Sequence, residues 1–173
     1  MRLSHFHRTR RNPYATRAHD AHVRESDLLP PLVRHFEALR FRTAAEVPVA
    51  RHRADLVAVS DAALVAVELK LTRWRQALRQ AVAYQVWAPE AYVALPFPSA
   101  IRAARHRHRF EAECVGLLAV LDGDVRTFLP AGPSPRLFPA LSESVRRRLA
   151  PPALPLDAFP ASSGERFYGP CRM

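Results

Sequence analysis

Residues 53–71 read RADLVAVSDAALVAVELKL. Two apolar runs, 53–60 and 63–71, flank a short polar Ser-Asp break. Runs so rich in Val and Leu read as strands, and a break this short joins them as an antiparallel hairpin. Counting outward from a turn at 60–63, Asp55 falls opposite Glu68. Cross-strand partners point to one face of a sheet. Lys70 is two residues beyond Glu68 and shares that face. Two carboxylates and an ammonium therefore converge at one end of a hairpin that is otherwise apolar. Isolated charges in such strands cost several kcal/mol unless they are paired or bind a metal.

The flanking sequence builds an α/β fold around this hairpin. Upstream, SDLLPPLVRHFEALR (26–40) carries Leu28, Leu32, Phe36 and Leu39 at helical spacing, with Ser26 or Asp27 as N-cap and Pro30 and Pro31 at the helix start. FRTAAEVPVA (41–50) reads as a first strand. Downstream, Thr72 is the expected cap of a helix whose core face is Trp74, Ala77, Leu78, Ala81, Val82 and Gln85, ended by Pro89. AYVALP (91–96) is a short buried strand, and 99–112 reads as one basic helix. CVGLLAVLDGDVRTFLPA (114–131) is a hairpin turning at Asp122-Gly123, and 135–150 is a final helix. The expectation is a mixed β-sheet flanked by helices, with an α-β-β-β-α-β core plus a C-terminal hairpin and helix.

Lys70 is the single lysine among 26 basic residues in 173. The chain also has one Asn and one Ile, a pattern of GC-rich coding that favours Arg. Keeping Lys against that bias suggests that Arg would not serve, since Lys is a compact point charge and Arg a wide planar fork. The net charge of +10 favours a polyanionic partner, nucleic acid before an anionic membrane surface. Two cysteines make no disulfide framework, which fits a reducing cytoplasm. No apolar run reaches the roughly 18 residues of a membrane span. Residues 1–22 hold five Arg with no acid before Asp20 and read as a basic arm. Residues 23–150 form the domain, and the Pro-rich stretch 151–173 is expected to add little to its core.

Asp and Glu oxygens are hard ligands suited to Mg²⁺, with Mn²⁺ as a substitute, and the Leu69 carbonyl could join them. Such a metal activates water and neutralises charge at phosphorus, and Lys70 could position the water. Asp55, twelve residues, then Glu68-Leu69-Lys70 resembles the motif of the PD-(D/E)XK nuclease superfamily, the restriction-endonuclease-like group that includes Holliday-junction resolvases and RecB-type nucleases. Gln80-Ala81-Val82-Ala83-Tyr84 is similar to the QxxxY motif of RecB-like members. The resemblance spans residues 25–96. It implies a Mg²⁺-dependent deoxyribonuclease acting in repair, recombination or defence, with Asp55 and Glu68 as metal ligands, Lys70 as a catalytic residue and Gln80 supporting the site. Ala54 stands where the motif's name puts Pro. The superfamily's first-helix acid has three candidates, Glu25, Glu37 and Glu46, of which Glu25 is favoured because it precedes the apolar face.

Nucleic-acid contacts are expected from Arg73 and Tyr84, on a stripe with Gln76 and Gln80, and from Arg105, Arg107 and Arg109 in RAARHRHRF (102–110). Each is also readable as a solvated flank. Trp74 and Trp87 read as packing residues, and Cys114 as a buried small hydrophobe opening a strand. DNA ranks ahead of RNA as partner, with no membrane role, and a homodimer is compatible. Two other readings stand beside the enzyme: a non-catalytic nuclease-fold module binding nucleic acid or a protein, and an α/β protein whose trio is a structural salt bridge.

Overall fold

The computed structural model of the chain describes residues 24–149. A short 3₁₀ turn, Glu25–Leu28, leads into α1 (Leu29–Ala38). Three strands follow: β1 (Arg42–Val49), β2 (His52–Val59) and β3 (Leu64–Leu69). Then come α2 (Trp74–Tyr84), β4 (Glu90–Pro96), α3 (Phe97–Ala104), α4 (Arg107–Ala112), β5 (Gly116–Leu121), β6 (Asp124–Leu129) and α5 (Pro139–Leu149). The six strands form one sheet in the order β1-β2-β3-β4-β5-β6. β3, β4 and β5 run parallel, and the other neighbours pair antiparallel. The fold is therefore α/β, a mixed sheet flanked by helices.

Helices cover both faces. Leu28, Leu32 and Phe36 of the N-terminal helical segment pack on Leu56, Val65, Val67 and Leu118. On the opposite face, Trp74, Ala77, Leu78 and Ala81 of α2 pack with Ala100, Ala103 and Phe110 against Ala91, Val93, Leu95 and Leu117. Further along that face, Val57, Val59, Leu64 and Ala66 meet Tyr84, Trp87 and Val145 of α5. β3 is buried at every position, as expected of a Val-rich strand with helices on both sides. The Asp122-Gly123 turn has φ of 51° and 87°, the left-handed pair that a two-residue hairpin turn requires.

Four details differ from the sequence reading. The basic segment is two helices, α3 and α4, interrupted at Arg105–His106. Thr72 does not cap α2: the N-cap is Arg73, with no side-chain cap bond. Asp27 caps backward, accepting the Arg24 N–H at 2.7 Å, and Leu28 precedes α1 without a side-chain cap. Cys114 is half-buried in the turn before β5, at φ 55°, where the chain must reverse between Phe110 and Val115. The spans 1–22 and 151–173 lie outside the described residues.

Candidate active site

The β2–β3 ladder pairs Val59 with Leu64, then Ala58 with Val65, Val57 with Ala66 and Leu56 with Val67. The next step in that register sets Asp55 across from Glu68. Regular pairing stops there because a side chain replaces a carbonyl: Asp55 Oδ2 accepts the Leu69 N–H at 2.8 Å. The other edge of β3 stays tied to β4, with the Lys70 N–H donating to the Ala94 carbonyl at 3.1 Å. The end of the strand is thus clamped from both sides, which fixes where Glu68 and Lys70 point.

A second irregularity helps to aim Asp55. Val57 and Val59 pack in the same cluster as Ala54, and Val47, the β1 partner of Ala54, joins them with Val49. One face cannot hold both 54 and 57 in an unbroken two-residue alternation. The phase changes between them, at Asp55, and does so on β1 too, where Glu46 has φ 52°. The β1–β2 register is the same on either side of this break. Non-glycine residues in left-handed backbone cost of order 1–3 kcal/mol and gather at functional sites.

Glu68 is 1% exposed. Lys70 Nζ lies 3.0 Å from Glu68 Oε1 and 3.2 Å from Glu25 Oε2, and donates to the Leu69 carbonyl at 3.0 Å. The Tyr84 hydroxyl meets Glu68 Oε2 and, at 2.8 Å, the carbonyl of Arg53. Both oxygens of the buried carboxylate are therefore engaged. These groups line a cleft of about 600 Å³ together with Asp55, Gln80, Glu46 and the tip of the β1–β2 hairpin. Gln80 Oε1 is buried with no hydrogen-bond partner among the described residues, although buried polar atoms are nearly always satisfied.

The charges are shifted accordingly. Burial pushes the Glu68 carboxyl above its usual range; the Tyr84 hydrogen bond pulls it back, the Asp55 charge pushes it up again, and Lys70 pulls it down. Burial works against the Lys70 ammonium, but hydrogen bonding and attraction from Glu68, then from Glu25, outweigh it and raise its pKa. Lys70 is thus a firmly protonated donor at neutral pH. Tyr84 is also pushed up, first by burial and then by Glu68.

Tyr84 is 1% exposed, so it is not the surface contact that the stripe on α2 suggested. It props Glu68 from below. Replacing it with Phe removes the single hydroxyl proton shared between Glu68 Oε2 and the Arg53 carbonyl, and so leaves one buried acceptor short of a donor. An unsatisfied buried acceptor costs about 1–3 kcal/mol. Tyr84→Phe should therefore melt roughly 3–10 °C lower by calorimetry; an unchanged melting point would show that the hydroxyl bears no load.

Of the sequence-predicted residues, Asp55, Glu68, Leu69, Lys70, Gln80 and Glu25 come together at this cleft. Among the three acid candidates Glu25 reaches Lys70, Glu46 sits on the cleft wall, and Glu37 lies exposed on α1 away from it. Arg73 is exposed at the N-terminus of α2 and does not line the cleft. Nor do Arg105, Arg107 and Arg109. Arg107 is paired with Glu111 at 2.8 Å on α4, and Arg109 borders a separate hollow beside Trp74. The hairpin tip Arg51–His52–Arg53 lines the cleft and was missed; its only sequence signal is a basic cluster at the turn between two strands.

No group of three His, Cys, Asp or Glu side chains among the described residues stands ready to hold a metal ion. The donor chemistry still fits a hard cation. Mg²⁺ keeps several waters and needs only one or two carboxylates. Asp55 and Glu68 feel each other's charge, and three oxygens already converge on the ammonium of Lys70.

No family model and no curated protein matches the chain. Among solved structures it is similar to the SPO1766 protein of unknown function from Silicibacter pomeroyi, at 23% identity and a TM-score of 0.56, covering 69% of this chain and 79% of that one. That likeness concerns the fold alone. No helix among the described residues is long and apolar enough to cross a membrane.

Proposed function

We propose that the protein is a divalent-metal-dependent nuclease that hydrolyses phosphodiester bonds in nucleic acid, DNA ahead of RNA. One observation carries this reading: a buried glutamate, a protonated lysine and a second carboxylate meet at a strand end, inside an open cleft, on a face where apolar side chains would have been less costly. A structural salt bridge needs no cleft, no unpartnered glutamine beside it and no third acid.

Asp55 and Glu68, with the Leu69 carbonyl, are the residues that would hold Mg²⁺ or Mn²⁺. The bound ion would supply an acidified water and charge neutralisation at phosphorus. Asp55 is held in place by the Leu69 N–H, and Glu68 by Tyr84, so neither carboxylate must be ordered during the reaction. Lys70, being protonated, would donate rather than accept: it would orient the attacking water and stabilise the developing oxyanion. Glu25 would steady the ammonium from the other side. Gln80 Oε1, still lacking a donor, would accept a hydrogen bond from that water or from the substrate.

The test is incubation with plasmid, linear, branched and single-stranded DNA, and with RNA, in Mg²⁺ or Mn²⁺, beside a Glu68→Ala control. Cleavage by the natural protein alone is expected. Binding without cleavage of any substrate would make the non-catalytic module the better reading. Absence of both would sink the nucleic-acid assignment.

A further inference from the structure

Four acids line the cleft: Glu25, Glu46, Asp55 and Glu68. Three cations oppose them, and one of those, Lys70, is committed to Glu68 and Glu25. A polyanion approaching this cleft would be repelled unless it met positive charge elsewhere on the wall. Among the described lining residues, that charge is concentrated on one short element, the tip of the β1–β2 hairpin. We propose that Arg51, His52 and Arg53 form a phosphate-binding subsite that grips the nucleic-acid strand beside the scissile position. The proposal rests on the nuclease reading and extends it to the substrate's backbone.

The hairpin is built for display. Its two-residue loop is Ala50–Arg51, since Val49 pairs with His52. Ala50 takes φ 52°, a conformation that glycine would adopt without strain. The feet of the hairpin are fixed: Val47 and Val49 are buried, and Arg148 of α5 donates to the Pro48 carbonyl at 2.6 Å. The Arg53 carbonyl is held by the same Tyr84 hydroxyl that meets Glu68, so the hairpin and the buried carboxylate share one support. Above these anchors the side chains are uncommitted. Arg51 and His52 are exposed and make no side-chain hydrogen bond or ion pair with a described residue. Arg53 reaches only Glu46, at 3.8 Å, in a pair exposed on both sides. Such a pair contributes little and yields readily to a phosphate.

The experiment measures affinity of the full chain for labelled duplex and single-stranded DNA by fluorescence anisotropy across a salt series, with Ca²⁺ replacing Mg²⁺ to suppress cleavage. Each phosphate neutralised contributes about −0.9 to the slope of log K against log salt on duplex, and about −0.7 on single strands. Arg51→Gln combined with His52→Gln should weaken binding roughly tenfold and flatten the slope by about one such unit, while the melting point holds because both side chains are exposed. Arg51→Lys should keep the slope, since a point charge still binds phosphate. Arg105→Gln combined with Arg109→Gln should leave the slope as it was. Salt-dependent binding by the natural protein that is unchanged in the Arg51/His52 variant would overturn the subsite and leave the nuclease reading standing. No binding to either strand form by the natural protein would overturn both.

Discussion

Lys70→Arg is expected to be nearly as inactive as Lys70→Ala, with the fold retained in both. The ammonium occupies a pocket bounded by Glu68 Oε1 at 3.0 Å, the Leu69 carbonyl at 3.0 Å and Glu25 Oε2 at 3.2 Å. A point charge satisfies three oxygens converging from different directions. A guanidinium spreads its donors over a plane and is wider, so it can pair with one carboxylate only by turning its edge away from the others. Charge is kept by the substitution; placement is not. Losing one well-placed stabilising donor costs about 10²–10³ in rate. Single-turnover cleavage rates and melting curves for the two variants make the comparison. Substantial activity in Lys70→Arg would mean that positive charge alone suffices, and the single lysine would then be an accident of coding.

The local path from sequence to site was short because the decisive contacts are between neighbours on a hairpin. Ser60 and Ala63 close the β2–β3 turn by the Ser60 N–H to Ala63 carbonyl bond at 2.8 Å, and every pair up to Leu56–Val67 follows from that closure. Trp74, Ala77, Leu78 and Ala81 repeat at helical spacing and face the core as that spacing requires. What escaped depends on partners remote in sequence. Tyr84 sits on the same stripe as Gln76 and Gln80, and only the passage of β2 beneath α2 brings the Arg53 carbonyl and Glu68 to its hydroxyl. The phase change at Glu46 and Asp55 leaves no mark on the apolar pattern, because Ala44 and Ala45 fit either face. Likewise, nothing in RAARHRHRF announces the break at Arg105–His106. At the break, His106 and Phe110 both stack on Trp74, a residue remote in sequence, with ring centroids 5.0 and 5.6 Å away. The choice among Glu25, Glu37 and Glu46 likewise needed the 3₁₀ turn, which carries Glu25 to Lys70 across 45 residues of sequence.

Glu68→Gln should abolish cleavage without lowering the melting point at neutral pH, and this separates a working site from a structural ion pair. The Glu68 carboxyl has a pKa raised above its ordinary value of 4.5, burial being the largest cause. A raised carboxyl pKa means that the folded state binds the proton more tightly than the unfolded one. The stability associated with the protonated form is complete below the ordinary carboxylate range and is lost as pH rises through the folded value. At pH 7 the ionised side chain is thus a burden on the fold, and a neutral isostere removes it. The new amide can keep its oxygen toward Lys70 and turn its N–H toward Tyr84, whose own proton then goes to the Arg53 carbonyl. The variant should melt at the same temperature or a few degrees higher at pH 7, and this difference should shrink as the pH falls and the natural glutamate takes up its proton. Divalent metal reverses the order. At tenfold above its dissociation constant a ligand adds about 1.4 kcal/mol, or roughly 5 °C for a domain of this size. The natural protein should gain that much from Mg²⁺ or Mn²⁺ and Glu68→Gln almost none. A variant that melts far lower without metal would identify Glu68 and Lys70 as a buried pair retained for the fold, since breaking such a pair costs about 3–5 kcal/mol. A carboxylate that weakens the fold and is relieved by a cation has its reason outside stability.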